Sequence, residues 1–398
     1  MFDRREKKII LALFLVNFCM IMDFMIIMPL GPIIMRVLEI SPKQFSSLVT
    51  AYTLGAAVAG FLTFFLFRNN QRKHQLLKFL LGFVIVSFLS FLCTSYHLFL
   101  ISRLITGLFV GFIGVVQLSI ISEFIDLKKR STALGVVMAA FAVASIIGVP
   151  IGVTIGNKVS WSAPFLFVFA VSATVWVSVF KLLPELTGAT SESKDGRFQV
   201  LSEFAASKSG WALIGTLIFS NFLIVPFLFP SIILNGKVSE SQLPMIYLVG
   251  GVSAIFSSVI FGRLADRYGN KKIFSIGVVS SVVAMYFATN IYPLPLGVII
   301  LIVAFYFAAT SGRIVPAMTL VTSAVRLPIR GQYMSFVTCL QHLAAGLASV
   351  VAGAIAVKLE NEEILNLPKL GYLAMSISLI SLYFAWKVPQ YSSSNDGV

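Results

Sequence analysis

A chain of 398 residues in which 58% are hydrophobic and only 12% charged lies far from the roughly 25% charge of a soluble globular domain, and its mean hydropathy of +0.94 places it in a lipid bilayer. The formal net charge of +14 would suit nucleic acid in a soluble protein. The 30 Lys and Arg residues, however, sit with two exceptions in short stretches between apolar segments, which excludes that partner.

Apolar spans of about 20 residues, enough to cross a bilayer, are predicted at 9–34, 45–67, 75–95, 98–122, 132–156 and 163–183. Six more follow at 209–233, 243–262, 271–291, 296–320, 332–357 and 369–388. The expected fold is an all-α membrane protein with twelve transmembrane helices. The first span is too long, and carries Asp23 too near its middle, to be a cleaved signal peptide. Asp23 is the only acidic residue near the middle of any span. A charge there costs about 2.5 to 3.5 kcal/mol on insertion scales, so it is expected to face the bundle interior. Burial and a nearby cation push a carboxyl's proton affinity in opposite directions, and a carboxyl close to an arginine can be poised to exchange a proton. Proton coupling, a structural ion pair and direct contact with substrate all remain open for Asp23.

Arg103, in the outer part of the fourth span, is its natural partner. Gly107, Gly114 and Gln117 project within about 40° of Arg103 at about 100° per residue. That face is small and polar, as a cavity wall would be, although glycines also serve close helix packing. In the fifth span Gly148, Pro150 and Gly152 interrupt the helix ladder and permit a neighbouring helix to come close. The longest polar segment, 184–208, reads as a linker between two six-span bundles, 1–183 and 209–398.

In the second half, Gly262 to Lys272 reads GRLADRYGNKK, a basic hairpin between two apolar runs. On the tenth span Tyr306, Thr310 and Arg313 share one face. Arg313 has no acidic partner there. Its guanidinium fork suits a substrate carboxylate, or it pairs with Asp23 or donates to backbone carbonyls. Asn221 and Gln341 are further candidates for the cavity wall, with interhelical hydrogen bonding, as for Asn17, the competing explanation.

Alternate loops hold 22 and 6 of the basic residues, so both termini are expected on the cytoplasmic side. Cys19, Cys93 and Cys339 lie in apolar helices without paired spacing, and His74, His97 and His342 are isolated. Neither a metal site, a cofactor nor a catalytic nucleophile with its base is indicated. The halves read as parallel repeats: each has a basic hairpin after its second span, and Arg130-Ser-Thr-Ala-Leu-Gly in the first is matched by Arg330-Gly-Gln-Tyr-Met-Ser in the second.

GRLADRYGNKK resembles the loop signature of the major facilitator superfamily, Arg103-Leu-Ile-Thr-Gly107 its fourth-helix motif, and Gly148-Val-Pro150-Ile-Gly152 the fifth-helix motif of its antiporters. The segments 23–32, 239–251 and 311–318 are similar to arabinose-efflux-permease-like members of the drug/proton antiporter branch. The resemblance implies two six-helix halves that alternate access to a central cavity. It implies that Asp266, with Arg267, Gly269, Lys271 and Lys272, caps the start of the fifth helix near Ser131 and Thr132 and latches the cytoplasmic side. It also implies that Glu123 bridges to Arg68 or Arg130 in one gate state, with a solvated helix end as the plain alternative.

The expected protein is a monomeric multi-pass transporter of a bacterial inner membrane, expelling a small organic solute in exchange for protons. Proton-coupled import of an anionic nutrient and a transport-inactive membrane sensor are the alternatives. Superposing the halves sets Thr63 against Gly262, Phe67 against Asp266 and Asn70 against Gly269, and Ser323 against Glu123. Each half thus keeps one gate carboxylate.

Overall fold

The computed structural model describes residues 2–66, 71–126, 129–186, 207–325, 330–358 and 363–389. Twelve helical segments among them are long and apolar enough to cross a membrane. The chain divides into two compact units, one of residues 1–192 with 239–248, the other of 193–238 with 249–398. The division at 192 falls within the segment 184–208 expected as a linker, and the short segment around Glu240 groups with the first unit.

The first unit opens with α1 (Arg4–Ile26), where Asp3 accepts from the Glu6 amide and Glu6 from the Asp3 amide, a reciprocal cap. It continues with α2 (Gly31–Val37), α3 (Pro42–Leu66), α4 (Arg72–Phe91) and α5 (Tyr96–Phe124). The span predicted as one helix at 9–34 is therefore two. Pro29 and Pro32 lack the amides that a continuous ladder needs, so the chain turns at 27–30 before α2 begins.

The fifth span is likewise interrupted, into α6 (Arg130–Met138), α7 (Ala140–Val143), a π-helical turn at Ala144–Gly148 and α8 (Val149–Lys158). The Val149 amide reaches back five residues to the Ala144 carbonyl. This wider turn sits one residue before Pro150, whose ring would clash with a regular ladder. α9 (Ala163–Leu182) completes the unit.

The second unit contains α10 (Lys208–Phe222), α11 (Val225–Leu234), most of α12 (Leu243–Tyr268), α13 (Asn270–Thr289), α14 (Leu296–Thr322), α15 (Arg330–Ile355) and α16 (Leu367–Lys387). Its first span breaks between α10 and α11, just before Pro226, as α1 and α2 break in the first unit. A two-residue antiparallel pairing, β1 (Val357–Lys358) with β2 (Ile364–Leu365), precedes α16. Buried Leu213, Leu217, Phe274, Val278, Leu320 and Tyr333 form much of the apolar centre. Between α12 and α13 the turn passes through Gly269 at φ +94°, a backbone region that side chains other than glycine rarely occupy.

Candidate functional site

Asp23 lies one turn before the end of α1 and Arg103 near the start of α5, and neither is accessible to solvent. The Arg103 Nη1 donates to Asp23 Oδ1 at 3.1 Å. Nη2 lies 2.9 Å from Oδ2, but that approach is misaligned and counts as a charge contact rather than a hydrogen bond. The Arg103 Nε has no protein acceptor. The pair is thus tightly neutralised yet incompletely hydrogen-bonded, in a region where an unpaired charge is expensive.

Two aromatic rings lie beside Arg103, and no sequence motif marks either. Tyr52 of α3 lies with its ring centroid 4.7 Å from the guanidinium carbon. Phe165 of α9 lies at 5.8 Å. Phe24, next to Asp23, packs on Tyr52 at 4.9 Å. The Tyr52 hydroxyl makes only a long contact of 3.4 Å to the Met20 carbonyl. The one available signal was a tyrosine in the middle of a span, away from the interfacial belt where tyrosines collect.

Glycines explain how Tyr52 comes so near. A Cβ on Gly107 would lie 2.0 Å from the Tyr52 carbonyl oxygen, and one on Gly55 2.3 Å from that of Leu104. Of the two readings open for the α5 glycines, Gly107 takes that of a helix contact. Gly114 has open space beside it, and Gln117 donates to the Leu13 carbonyl at 3.2 Å, joining α5 to α1. The fifth-span glycines serve α1 in the same way: a Cβ at Gly148 would meet Met22 at 2.9 Å and one at Gly152 would meet Ile26 at 2.6 Å. The turns around Pro150 thus pack on the stretch of α1 that carries Asp23.

In the second unit the Tyr306 hydroxyl donates to Asn221 Oδ1 at 3.1 Å, joining α14 to α10. The Thr310 hydroxyl returns to the Tyr306 carbonyl. Arg313 is 1% exposed. It donates to the hydroxyls of Ser281 at 2.8 Å, Ser378 at shorter range and Ser220 at 3.4 Å. Ser281 and Ser220 in turn donate to the carbonyls of Val278 and Leu217, so their oxygens are left facing the cation. Of the partners the sequence offered Arg313, a backbone carbonyl is not used, and Asp23 is engaged by Arg103 within its own unit. Gln341 has only a 3.8 Å contact to the Met318 sulfur, and Asn17 donates to the Val137 carbonyl.

At the end of the first unit where α4 begins and α5 ends, Glu123 is paired with Arg72. Arg72 Nη2 lies 2.7 Å from Glu123 Oε1, and its Nε engages both carboxylate oxygens. Arg68 lies outside the described residues, as do the side chains of Arg130, Ser131, Thr132 and Arg330. Lys129 pairs with Glu6 at 3.0 Å, and that bond to Glu6 raises the Lys129 pKa above its ordinary value.

In the hairpin of the second unit Asp266 is exposed. A Cβ at Gly262 would lie 3.5 Å from Val315, Arg267 lies over the Tyr268 ring at 5.3 Å, and Lys271 donates to the Trp386 carbonyl at 2.9 Å. Lys272 is also exposed. Among the described residues no group of three His, Cys, Asp or Glu side chains converges.

Paired helix-break positions in two units, a buried carboxylate and arginine between helices, and a basic hairpin after the eighth span define a transport protein. The family model of the Major Facilitator Superfamily matches residues 13–250 and 210–396. The chain belongs to that superfamily; it is a multi-pass membrane transporter of small molecules and not an enzyme.

AraJ of Escherichia coli (strain K12) is 24% identical over 288 residues, 71% of this chain and 72% of that one. The MFS-type transporter YceJ of Bacillus subtilis (strain 168) is 23% identical over 343 residues, 85% and 87% of the two chains. A Pasteurella multocida (strain Pm70) protein named "Probable sugar efflux transporter" is 21% identical over 249 residues, 62% and 61%. Among solved structures, a D-xylose-proton symporter superposes with a TM-score of 0.74 at 16% identity, over 97% of this chain and 98% of that one. At that identity the likeness speaks for the fold alone.

Proposed function

We propose that this transporter exports a small hydroxylated solute of the sugar class in exchange for protons, by alternating access in a bacterial inner membrane. The observation that carries the coupling is the Asp23–Arg103 pair, a carboxylate and its counter-ion both removed from solvent. Protonation of Asp23 breaks the neutral pair and changes the electrostatics between α1 and α5, which is how a proton biases one state over another. The sugar class and the outward direction are supported by the names of relatives such as the Pasteurella protein. The fifth-span Gly148, Pro150 and Gly152, packed on α1, support the direction too.

Tyr306, Thr310, Asn221, Gln117 and Gln341 supply neutral donors and acceptors suited to hydroxyl groups. The anionic-solute reading rested on an unpaired Arg313. Three serine oxygens engage Nη1 and Nη2 of its guanidinium and leave only Nε without an acceptor, which weighs against it.

The segment 184–208 serves as the linker, both termini lie on the cytoplasmic side, and the protein works as a monomer. Asp266 with Arg267, Gly269, Lys271 and Lys272 latches the cytoplasmic side, and the Glu123–Arg72 pair steadies the corresponding end of the first half. Proteoliposomes with an imposed pH gradient and radiolabelled pentoses and hexoses test the coupling. Solute flux is expected to collapse the gradient in wild type, and Asp23→Asn is expected to abolish gradient-driven flux. Unchanged gradient-driven flux in Asp23→Asn overturns the proposal.

A further inference from the structure

We infer that Tyr52 is the positioning residue of the Asp23–Arg103 pair: its ring holds the Arg103 guanidinium in place once Asp23 takes up a proton, and thereby sets the pH at which the pair works. This rests on the proton-coupling reading above and adds a residue that no motif marks.

The two protonation states of Asp23 treat Arg103 very differently. With Asp23 ionised, Arg103 has a full counter-charge at 2.9 Å. With Asp23 neutral, the same guanidinium is a fully buried cation whose Nε already lacks an acceptor, which is the costly situation for a charge away from water. An aromatic face attracts a cation without titrating and without competing for the carboxylate, and the attraction is strongest where water is absent. The rings of Tyr52 at 4.7 Å and of Phe165 at 5.8 Å stand where that attraction can act. Their contribution matters most in the state where Arg103 has least else, so it favours the protonated state of Asp23.

The placement of Tyr52 is built in. Gly55, Gly107 and Gly111 bring α3 against α5 at distances that no side chain would allow, and Phe24 packs on the Tyr52 ring. The hydroxyl is spent on a long contact to Met20, so the ring and not the phenol is the working part.

Few other groups compete. Beside Tyr52 itself, Cys19, one turn before Asp23 on α1, is the nearest titratable side chain in sequence. The segments packed on α1 from the fifth and sixth spans carry charged residues only towards their ends, at Arg130, Lys158 and Lys181. The other charged or titratable residues of α3 and α5 are Lys43, Tyr96, His97 and Glu123, also at helix ends.

The test is the pH profile of solute flux in proteoliposomes at a fixed gradient. Tyr52→Phe keeps the ring and is expected to keep the wild-type midpoint. Tyr52→Leu is expected to move the midpoint to lower pH by about 0.5 unit or more, since the protonated state has lost its support. A folded Tyr52→Leu with an unmoved midpoint, or a Tyr52→Phe shifted as far as Tyr52→Leu, overturns the inference. Should Tyr52→Leu fail to fold, Phe165→Leu carries the test with a smaller shift in the same direction, and an unmoved midpoint there overturns it equally.

Asp23→Asn separates this inference from the reading beneath it. If that variant retains pH-driven flux, the coupling proposal and this inference fall together. If it loses pH-driven flux while Tyr52→Leu leaves the midpoint alone, only the role of Tyr52 falls.

Discussion

At the scale of single residues, the two buried arginines show two ways of keeping a cation in a bilayer. Arg103 is neutralised by a carboxylate, whereas Arg313 is solvated by three serine hydroxyls. The first arrangement contains a carboxylate that can accept a proton; the second contains only a guanidinium and neutral hydroxyls. Removing one partner of a buried pair leaves an uncompensated charge and costs about 3 to 5 kcal/mol, while replacing both by apolar residues of similar volume is close to neutral. Asp23→Leu alone is therefore expected to lower the thermal stability of the detergent-solubilised protein strongly, and Asp23→Leu with Arg103→Met to restore most of it. Equal losses in the single and double variants would contradict a tightly coupled pair.

The same logic makes Ser281→Ala cost about 1.5 to 3 kcal/mol, because it removes a hydrogen bond to a charged donor. Arg313→Met is expected to make that serine substitution nearly silent, a comparison read in the same unfolding assay. Asp23, Arg103 and Arg313 were legible in the sequence because a charge inside an apolar span announces itself. Tyr52, Phe165 and the serines were not. Their residue types are ordinary in membrane helices, and only the fold brings them to a cation.

At the scale of helices, the twelve spans were legible from hydropathy, but their interior breaks were only half so. Pro29, Pro32 and Pro226 mark where the first span of each half divides. In α14, by contrast, Pro316 lies within a helix that continues to Thr322. The difference lies in whether neighbouring groups satisfy the carbonyl that the proline frees, which a sequence does not display.

Glycines raise the same ambiguity. Gly107 and Gly114 lie on one stripe of α5, yet a Cβ at Gly107 would meet backbone at 2.0 Å whereas one at Gly114 would meet nothing within 4 Å. Gly107→Ala is expected to force α3 and α5 apart, with sharply reduced folded yield and loss of transport. Gly114→Ala is expected to change stability by no more than about 0.5 kcal/mol. Size-exclusion profiles and thermal unfolding of the two variants check this directly, and a well-folded Gly107→Ala with normal transport would contradict the packing described here.

At the scale of the whole molecule, the repeat is unequal in its chemistry. Beyond Glu240 and Asp266 at the ends of the eighth span, the second half has no acidic residue in any of its spans. Its polar contacts, Tyr306 to Asn221 and Arg313 to three serines, involve neither a carboxylate nor a histidine. Under the proposed coupling, the carboxylate that takes up the proton lies in the first half, and these contacts of the second half offer neutral donors and acceptors.

The basic hairpins divide the labour in the opposite sense. In the first-half hairpin the sequence has Phe67 where the second has Asp266, and a phenyl ring offers nothing to free helix amides, whereas a carboxylate is favoured there by both hydrogen bonding and the helix dipole. The latch is therefore expected to depend on Asp266 with no counterpart to share the load. Asp266→Asn keeps the size and the acceptor oxygen but removes the charge, so it is expected to shift the conformational balance towards cytoplasmic opening. Single cysteines introduced at that end of the spans should then react faster with a membrane-impermeant maleimide in inside-out vesicles. Phe67→Asp, which restores a carboxylate to the first hairpin, is expected to act in the opposite direction and to slow labelling in the Asp266→Asn background. If labelling rates in Asp266→Asn match wild type, the charge at that hairpin has no part in gating and the inequality of the two loops is without mechanical consequence.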